Sequence, residues 1–194
     1  MAAANERRGA CGRFCRLEEG RRAHVQLGRF VKPMVNLVIV SHSRLLAEGV
    51  KELATQMIFG APDITADATG ANAGNTVQAG NTVQIVVAAG IPDEECDNAT
   101  PYRLGSDALY IAQTIEQVWT QDGVLVLVDL GSAVLNTEMA LEFLPPEMAV
   151  RCQISNAPLV EGAITAALEA SLGHDLDTVN QAAESAAQIQ KVSL

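Results

Sequence analysis

Four short, nearly continuous apolar runs occur along the chain, each followed by a stretch whose apolar residues recur at helical spacing. The first run, VNLVIV over residues 35–40, is β-branched and of strand length, the pattern of a strand buried on both faces. After it Leu45, Leu46, Gly49, Val50, Leu53, Met57 and Ile58 recur at helical spacing and stop near Gly60, which predicts a helix. VQIVVAAG (83–90) supplies the second strand, and GSDALYIAQTIEQVW (105–119) the next helix, with Ser106 or Asp107 placed to cap its start. GVLVLVDLGS (123–132) is a third apolar strand. The helix behind it carries Val134, Leu135, Met139 and Leu144 and is stopped by Pro145-Pro146. RCQISNAP (151–158) is a shorter, more polar strand, expected nearer a sheet edge. Two helices, over about 159–172 and 177–190, complete the pattern.

Strand and helix alternating four times predict an α/β fold with a parallel sheet covered on both faces. Such sheets bind ligands outside the carboxyl ends of their strands, where the strand order reverses. Three turns fall on that rim: Ser41-His42-Ser43, Asp129-Leu130-Gly131-Ser132 and Ser155-Asn156-Ala157-Pro158.

Composition narrows the class. With 194 residues, 48% of them hydrophobic, one substantial core and one domain are expected. No apolar stretch approaches the ~20 residues that cross a bilayer, and the first segment lacks the apolar centre of a secretory signal. Cys11, Cys15, Cys96 and Cys152 are dispersed without a CxxC pair, so a reduced, cytoplasmic protein is the expectation.

Charge divides the chain sharply. Residues 1–33 hold eight Lys or Arg against three Glu, whereas residues 34–194 hold five basic and twenty acidic residues. That acidic body would be repelled by nucleic-acid phosphates. The basic leader ends at Pro33 and has little periodicity, so it is expected to be disordered or an upstream extension from a misplaced start codon. An organelle-targeting peptide is the other reading, opposed by its three Glu. Cys11, Cys15 and His24 lack a fourth ligand at suitable spacing, and no metal site is expected there. Residues 60–83, poor in apolar side chains and running into a tandem AGNTVQ duplication (73–84), look like a flexible insertion in a domain spanning 34–194.

His42 therefore stands at the mouth of the sheet. A neutral imidazole can attack phosphorus with one nitrogen while the other donates its N–H to an acceptor that fixes the tautomer. Asp129 is the candidate acceptor, although before Gly-Ser it could equally serve as a helix cap. Helix N-termini beginning at Ser43 and near Ser132 offer backbone N–H groups to a phosphoryl group, and Gly131 permits close approach. Neither GxxxxGK[ST] nor GxGxxG occurs, so direct nucleotide binding has little support.

MVNLVIVSHS from Met34, VVAAGI (86–91), GSDA (105–108), VLVLVDLGSAVLNTEMALEFL (124–144) and APLVEG (157–162) occur in that order. Together, over about residues 34–172, they resemble the DhaM family. Its members are phosphotransferase subunits of bacterial phosphoenolpyruvate-dependent dihydroxyacetone kinases, and their first domain is similar to the mannose-type enzyme IIA of the sugar phosphotransferase system. The resemblance implies a three-layer α/β sandwich with a central, mainly parallel sheet, and a homodimer. It implies that His42 accepts phosphate from phospho-HPr and passes it to ADP held on DhaL, which phosphorylates dihydroxyacetone bound to DhaK. Asp129 then occupies the place of the aspartate that pairs with the histidine, Gly131 and Ser132 become phosphate neighbours beside Ser43, and the carrier needs no cofactor of its own. Some family members carry HPr-like and enzyme-I-like domains in the same chain; here a separate HPr is expected. Two other readings remain: a IIA component of sugar transport, and a non-catalytic regulatory module of the same fold.

Overall fold

The computed structural model of the protein describes residues 34–59, 82–92 and 102–192. The leader 1–33 lies outside them, as does the 60–83 insertion apart from Thr82 and Val83, the latter buried.

Four parallel strands form the central sheet: β1 (Asn36–Ser41), β2 (Ile85–Ala89), β5 (Val124–Val128) and β6 (Cys152–Ser155), in the order β2-β1-β5-β6. Between β2 and β5 a small antiparallel pair, β3 (Ile91–Pro92) and β4 (Tyr102–Arg103), is added. The helices are α1 (Arg44–Phe59), α2 (Ala108–Val118), α3 (Gly131–Phe143), α4 (Pro146–Ala149), α5 (Leu159–Leu172) and α6 (Leu176–Ser185), and a 3₁₀ turn follows at Ala186–Gln188. The expected α/β sandwich with helices on both faces is the observed one. The polar strand β6 lies at the sheet edge.

Alternation along the strands divides the core in two. Leu37, Ile39, Leu125 and Leu127 face α1, α5 and α6, whereas Val38, Val40, Val124 and Val126 face α2 and α3. The chain leaves β1 through α1 on one face and leaves β5 through α3 on the other. β1 and β5 are neighbours, so the two connections diverge and leave a crevice at their carboxyl ends. Register pairs Val40 with Val128, which brings Ser41 and Asp129 side by side as the strands end.

At the amino ends, Met34 N donates to Asp122 (2.9 Å) and Thr120 Oγ1 donates to Met34 O (2.8 Å), fixing the entry into β1. Asn36, buried in the first position of β1, donates to Val118 O (2.6 Å) and accepts from Gln84 N (2.9 Å). One amide thus ties the end of α2 to the start of β2, which offsets the cost of burying it. Asp107, one of the two expected caps, caps α2 by accepting from Tyr110 N.

Two helices pack by a different face from the one their large apolar residues suggest. α1 buries Ala47, Val50 and Ala54 and leaves Leu45 72%, Leu53 49% and Met57 64% exposed. α3 buries Ala133, Thr137 and Ala140 and leaves Leu135 and Met139 exposed. The small faces allow close approach: Ala47 and Ala54 share one cluster with Ala163, Ala166, Ala167 and Ala170 of α5.

Gly162 allows a close approach at the start of α5, since a Cβ there would stand 2.6 Å from the Cβ of Ala157 in the turn before it. Gly162→Ala is expected to cost about 1–3 kcal/mol as overpacking. Its midpoint of thermal unfolding, followed by circular dichroism, should fall by several degrees. An unchanged midpoint would mean that the turn after β6 has slack.

Candidate functional site at the switch point

His42 is the first residue beyond β1, and its ring lies in the crevice between β1 and β5. Gly105 N donates to His42 O (2.9 Å) and Gly90 N to Ser41 O (3.3 Å), so the base of the β3–β4 pair clasps the turn from one side. Both glycines have positive φ, and a Cβ at Gly105 would meet Ile91 Cδ1 at 2.5 Å. From the other side the turn is held by Asp129.

The Asp129 carboxylate accepts four hydrogen bonds. Oδ2 takes the His42 N–H (2.9 Å) and the Ser41 hydroxyl (2.8 Å). Oδ1 takes the Leu130 N–H (2.7 Å) and faces His42 Nδ1 at 3.0 Å. Burial alone would push this carboxyl up, but the bonds from His42 N–H, Ser41, the His42 ring and Leu130 N–H outweigh it and hold the acid below its ordinary value. Asp129 stays anionic at neutral pH. An anionic carboxylate can only accept, so in the neutral ring Nδ1 carries the proton and Nε2 the lone pair. Nε2 is met by Ser132 Oγ at 2.6 Å, and in that tautomer the hydroxyl is the donor. The His42 side chain is 23% exposed and that of Asp129 10%, so the ring is the more open of the two and the carboxylate the more sheltered.

The surrounding donors come from two helix starts. α3 begins at Gly131 behind an N-cap, Leu130, that makes no side-chain capping bond. The Gly131 and Ser132 N–H groups, the first of α3, have no intrahelical acceptor. Asp129 does not cap α3 by side chain; its bond to Leu130 N is to the adjacent residue. Ser43 caps α1, accepting from Leu46 N (3.3 Å) with its hydroxyl and from Ala47 N (3.1 Å) with its carbonyl. Its own N–H donates to Ser41 Oγ (3.1 Å). Of the five residues singled out in the sequence, His42, Asp129 and Ser132 form one hydrogen-bonded line. Gly131 adjoins it, and Ser43 sits beside it as a cap.

Arg44, two residues after His42, has its charge committed elsewhere. It pairs with Glu48 (2.7 Å), donates to Tyr110 Oη (3.1 Å) and stacks 5.0 Å above the Tyr102 ring. His174 lies at the far end of α5, paired with Glu169, and His24 is outside the described residues. Among the described residues no group of three or more His, Cys, Asp or Glu could hold a metal ion. No described helix is long and apolar enough to cross a membrane. Sequence reasoning missed Ser41, which it treated as part of the turn; the available signal was a hydroxyl residue ending an otherwise apolar strand.

Comparison with known proteins agrees with the fold. Residues 79–180 match the family described as the PTS system fructose IIA component. Phosphoryl donor subunits DhaM of PEP-dependent dihydroxyacetone kinases are similar as well. That of Escherichia coli K12 is 42% identical over 146 residues, covering 75% of this chain and 25% of the relative. That of Pantoea ananatis is 38% identical over 161 residues, 83% of this chain and 28% of the relative. A Listeria innocua protein of the second such kinase is 32% identical over 148 residues, 76% of this chain and 95% of its own length. The chain thus spans about a quarter of the length of the enterobacterial relatives. An alignment of 161 of the 194 residues includes both His42 and Asp129 wherever it begins. The crystal structure of EF1359, a protein of unknown function, superposes with a TM-score of 0.55 at 26% identity, over 78% of this chain and 93% of that one.

The fold is that of the mannose-type IIA components. Within that class, the chain belongs to the DhaM family of phosphotransferase subunits.

Proposed function

We propose that the protein is a histidine phosphocarrier, taking a phosphoryl group from phospho-HPr and handing it to ADP held on DhaL, which phosphorylates dihydroxyacetone bound to DhaK. The observation that carries this reading is the His42 ring itself, with Nδ1 tied to Asp129 and Nε2 turned outward at the switch point.

The chemistry follows from those atoms. The Nε2 lone pair attacks phosphorus, the bond from phosphorus to the donor's histidine nitrogen breaks, and that nitrogen leaves with the electron pair. The His42 ring keeps its Nδ1 proton and becomes cationic, and the Asp129 carboxylate 3.0 Å away balances the charge. Ser132, whose hydroxyl occupies the Nε2 edge at rest, swings to a phosphoryl oxygen. The Gly131 and Ser132 N–H groups at the positive end of α3 and the Ser43 hydroxyl supply further donors. With Arg44 engaged by Glu48, Tyr110 and the Tyr102 ring, neutral donors rather than cations hold the group. That suits a carrier, which must let the phosphoryl group go. The second transfer reverses these movements toward the terminal oxygen of ADP.

The name of the matching family, a fructose IIA component, favours a second recipient, a sugar-transport IIB protein. The two recipients are separated by supplying phosphoenolpyruvate, enzyme I and HPr, then measuring dihydroxyacetone phosphate. Product that forms only when DhaL and DhaK are added is the expected result. A labelled protein that never discharges to DhaL would overturn the kinase assignment. A homodimer belongs to the same proposal, checked by light scattering.

A further inference from the structure

Resting on the phosphocarrier reading, we propose that Ser41 is a positioning residue, whose buried hydroxyl holds the carboxylate and the histidine turn in the one arrangement that presents the Nε2 lone pair. Ser41 is fully buried as the last residue of β1. Its hydroxyl donates to Asp129 Oδ2 (2.8 Å) and accepts from Ser43 N (3.1 Å). A hydroxyl at that depth is costly unless paired, and this one is paired in both senses.

The geometry shows why the pairing acts on His42. Oδ2 is filled by the Ser41 hydroxyl and the His42 N–H, and Oδ1 by the Leu130 N–H. Three donors therefore set the plane of the carboxylate, and the remaining acceptor direction of Oδ1 falls on Nδ1. The chain Ser43 N–H to Ser41 O–H to Asp129 also joins the start of α1 to the end of β5, the two walls of the crevice, and each bond polarises the next. Removing the hydroxyl leaves the Ser43 N–H without its acceptor and Oδ2 with one donor. The turn and the carboxylate then keep only the His42 N–H bond at Oδ2, and the carboxylate is freer to turn away from Nδ1.

The test uses the full chain with Ser41→Ala, Ser41→Cys and Ser41→Thr. In each, the ¹⁵N shifts of His42 report the tautomer, and the rate of labelling by ³²P-phospho-HPr is measured against donor concentration. The unaltered protein should show Nδ1–H and lone-pair Nε2 shifts. Ser41→Ala should move both nitrogens toward exchanging tautomers and lower the maximal rate about tenfold or more, the scale of one hydrogen bond to a charged group, with the donor KM unchanged. Ser41→Thr, which keeps the hydroxyl, should restore shifts and rate. If Ser41→Ala fails to fold, Ser41→Cys, near in size and a weak donor, gives the same comparison. A folded Ala or Cys variant with native shifts and native rate overturns the proposal. The tautomer is read without phosphate transfer. An unaltered protein that takes no label therefore sinks the carrier reading, while the shifts still decide the role of Ser41.

Discussion

His42→Ala is expected to reduce acid-labile phosphorylation by phospho-HPr to background, while His24→Ala and His174→Ala keep the full rate. The reason is positional. His42 alone among the described histidines lies where two diverging connections open the sheet, with a carboxylate on one ring nitrogen and a hydroxyl on the other. His174 is bound to Glu169 at the opposite end of α5. Because His42 is partly exposed and its backbone bonds to Asp129 and Gly105 do not need the ring, the alanine variant should stay folded. Residual label in that variant, located by mass spectrometry on another residue, would remove His42 from the relay.

The second large effect belongs to Asp129. Asp129→Ala should slow labelling about 10²-fold, the scale of a positioned acid–base group. Asp129→Asn should be at least as slow, because an amide turned toward Nδ1 can donate and thereby favour the wrong tautomer. Stability adds an independent readout. The folded carboxyl lies below its ordinary value of 3.8, so its ionised bonds stabilise the fold above that value, and the contribution is lost as pH falls through the lower folded value. The unaltered protein should therefore lose stability more steeply in acid than Asp129→Asn, as followed by melts from neutral pH downward. Parallel acid profiles, with labelling near normal, would reduce Asp129 to a structural ligand of the turn.

What was legible in the sequence depended on how many structures each pattern allowed. Runs such as VNLVIV and VLVLV, apolar on every position, fit few arrangements except a strand buried on both faces, and β1 and β5 are those strands. The order of four such units was enough to place His42 and Asp129 on one rim. The faces of α1 and α3 were not legible in the same way. Leucine and methionine outweigh alanine on any hydropathy scale, yet Ala47, Ala54, Ala133 and Ala140 turned inward because small residues let backbones come close. The β3–β4 pair escaped notice because two-residue strands have no period to detect. α4 was hidden behind its own stop signal: Pro145-Pro146 ends α3, but Pro146 also suits the first position of the next helix. Ser41 was overlooked because its function is set by a bond to a residue 88 positions away.

The alanines under α1 have a consequence for how the nucleophile is carried. A methyl group has no rotamers, so ordering the alanines between α1 and α5 cost no side-chain entropy, and the larger side chain buried beside them, Val50, is stiff at χ1. Larger side chains in that seam would give the helix several near-equal seats, each tilting its first turn differently. With methyl against methyl the choice of seats is narrow. The N-terminus of α1, which leads directly out of the His42 turn, thus stands on a closely fitted footing. Precision at the phosphoryl group is in this sense mechanical as well as electrostatic, and substitutions that enlarge the seam should be among the least tolerated in the chain.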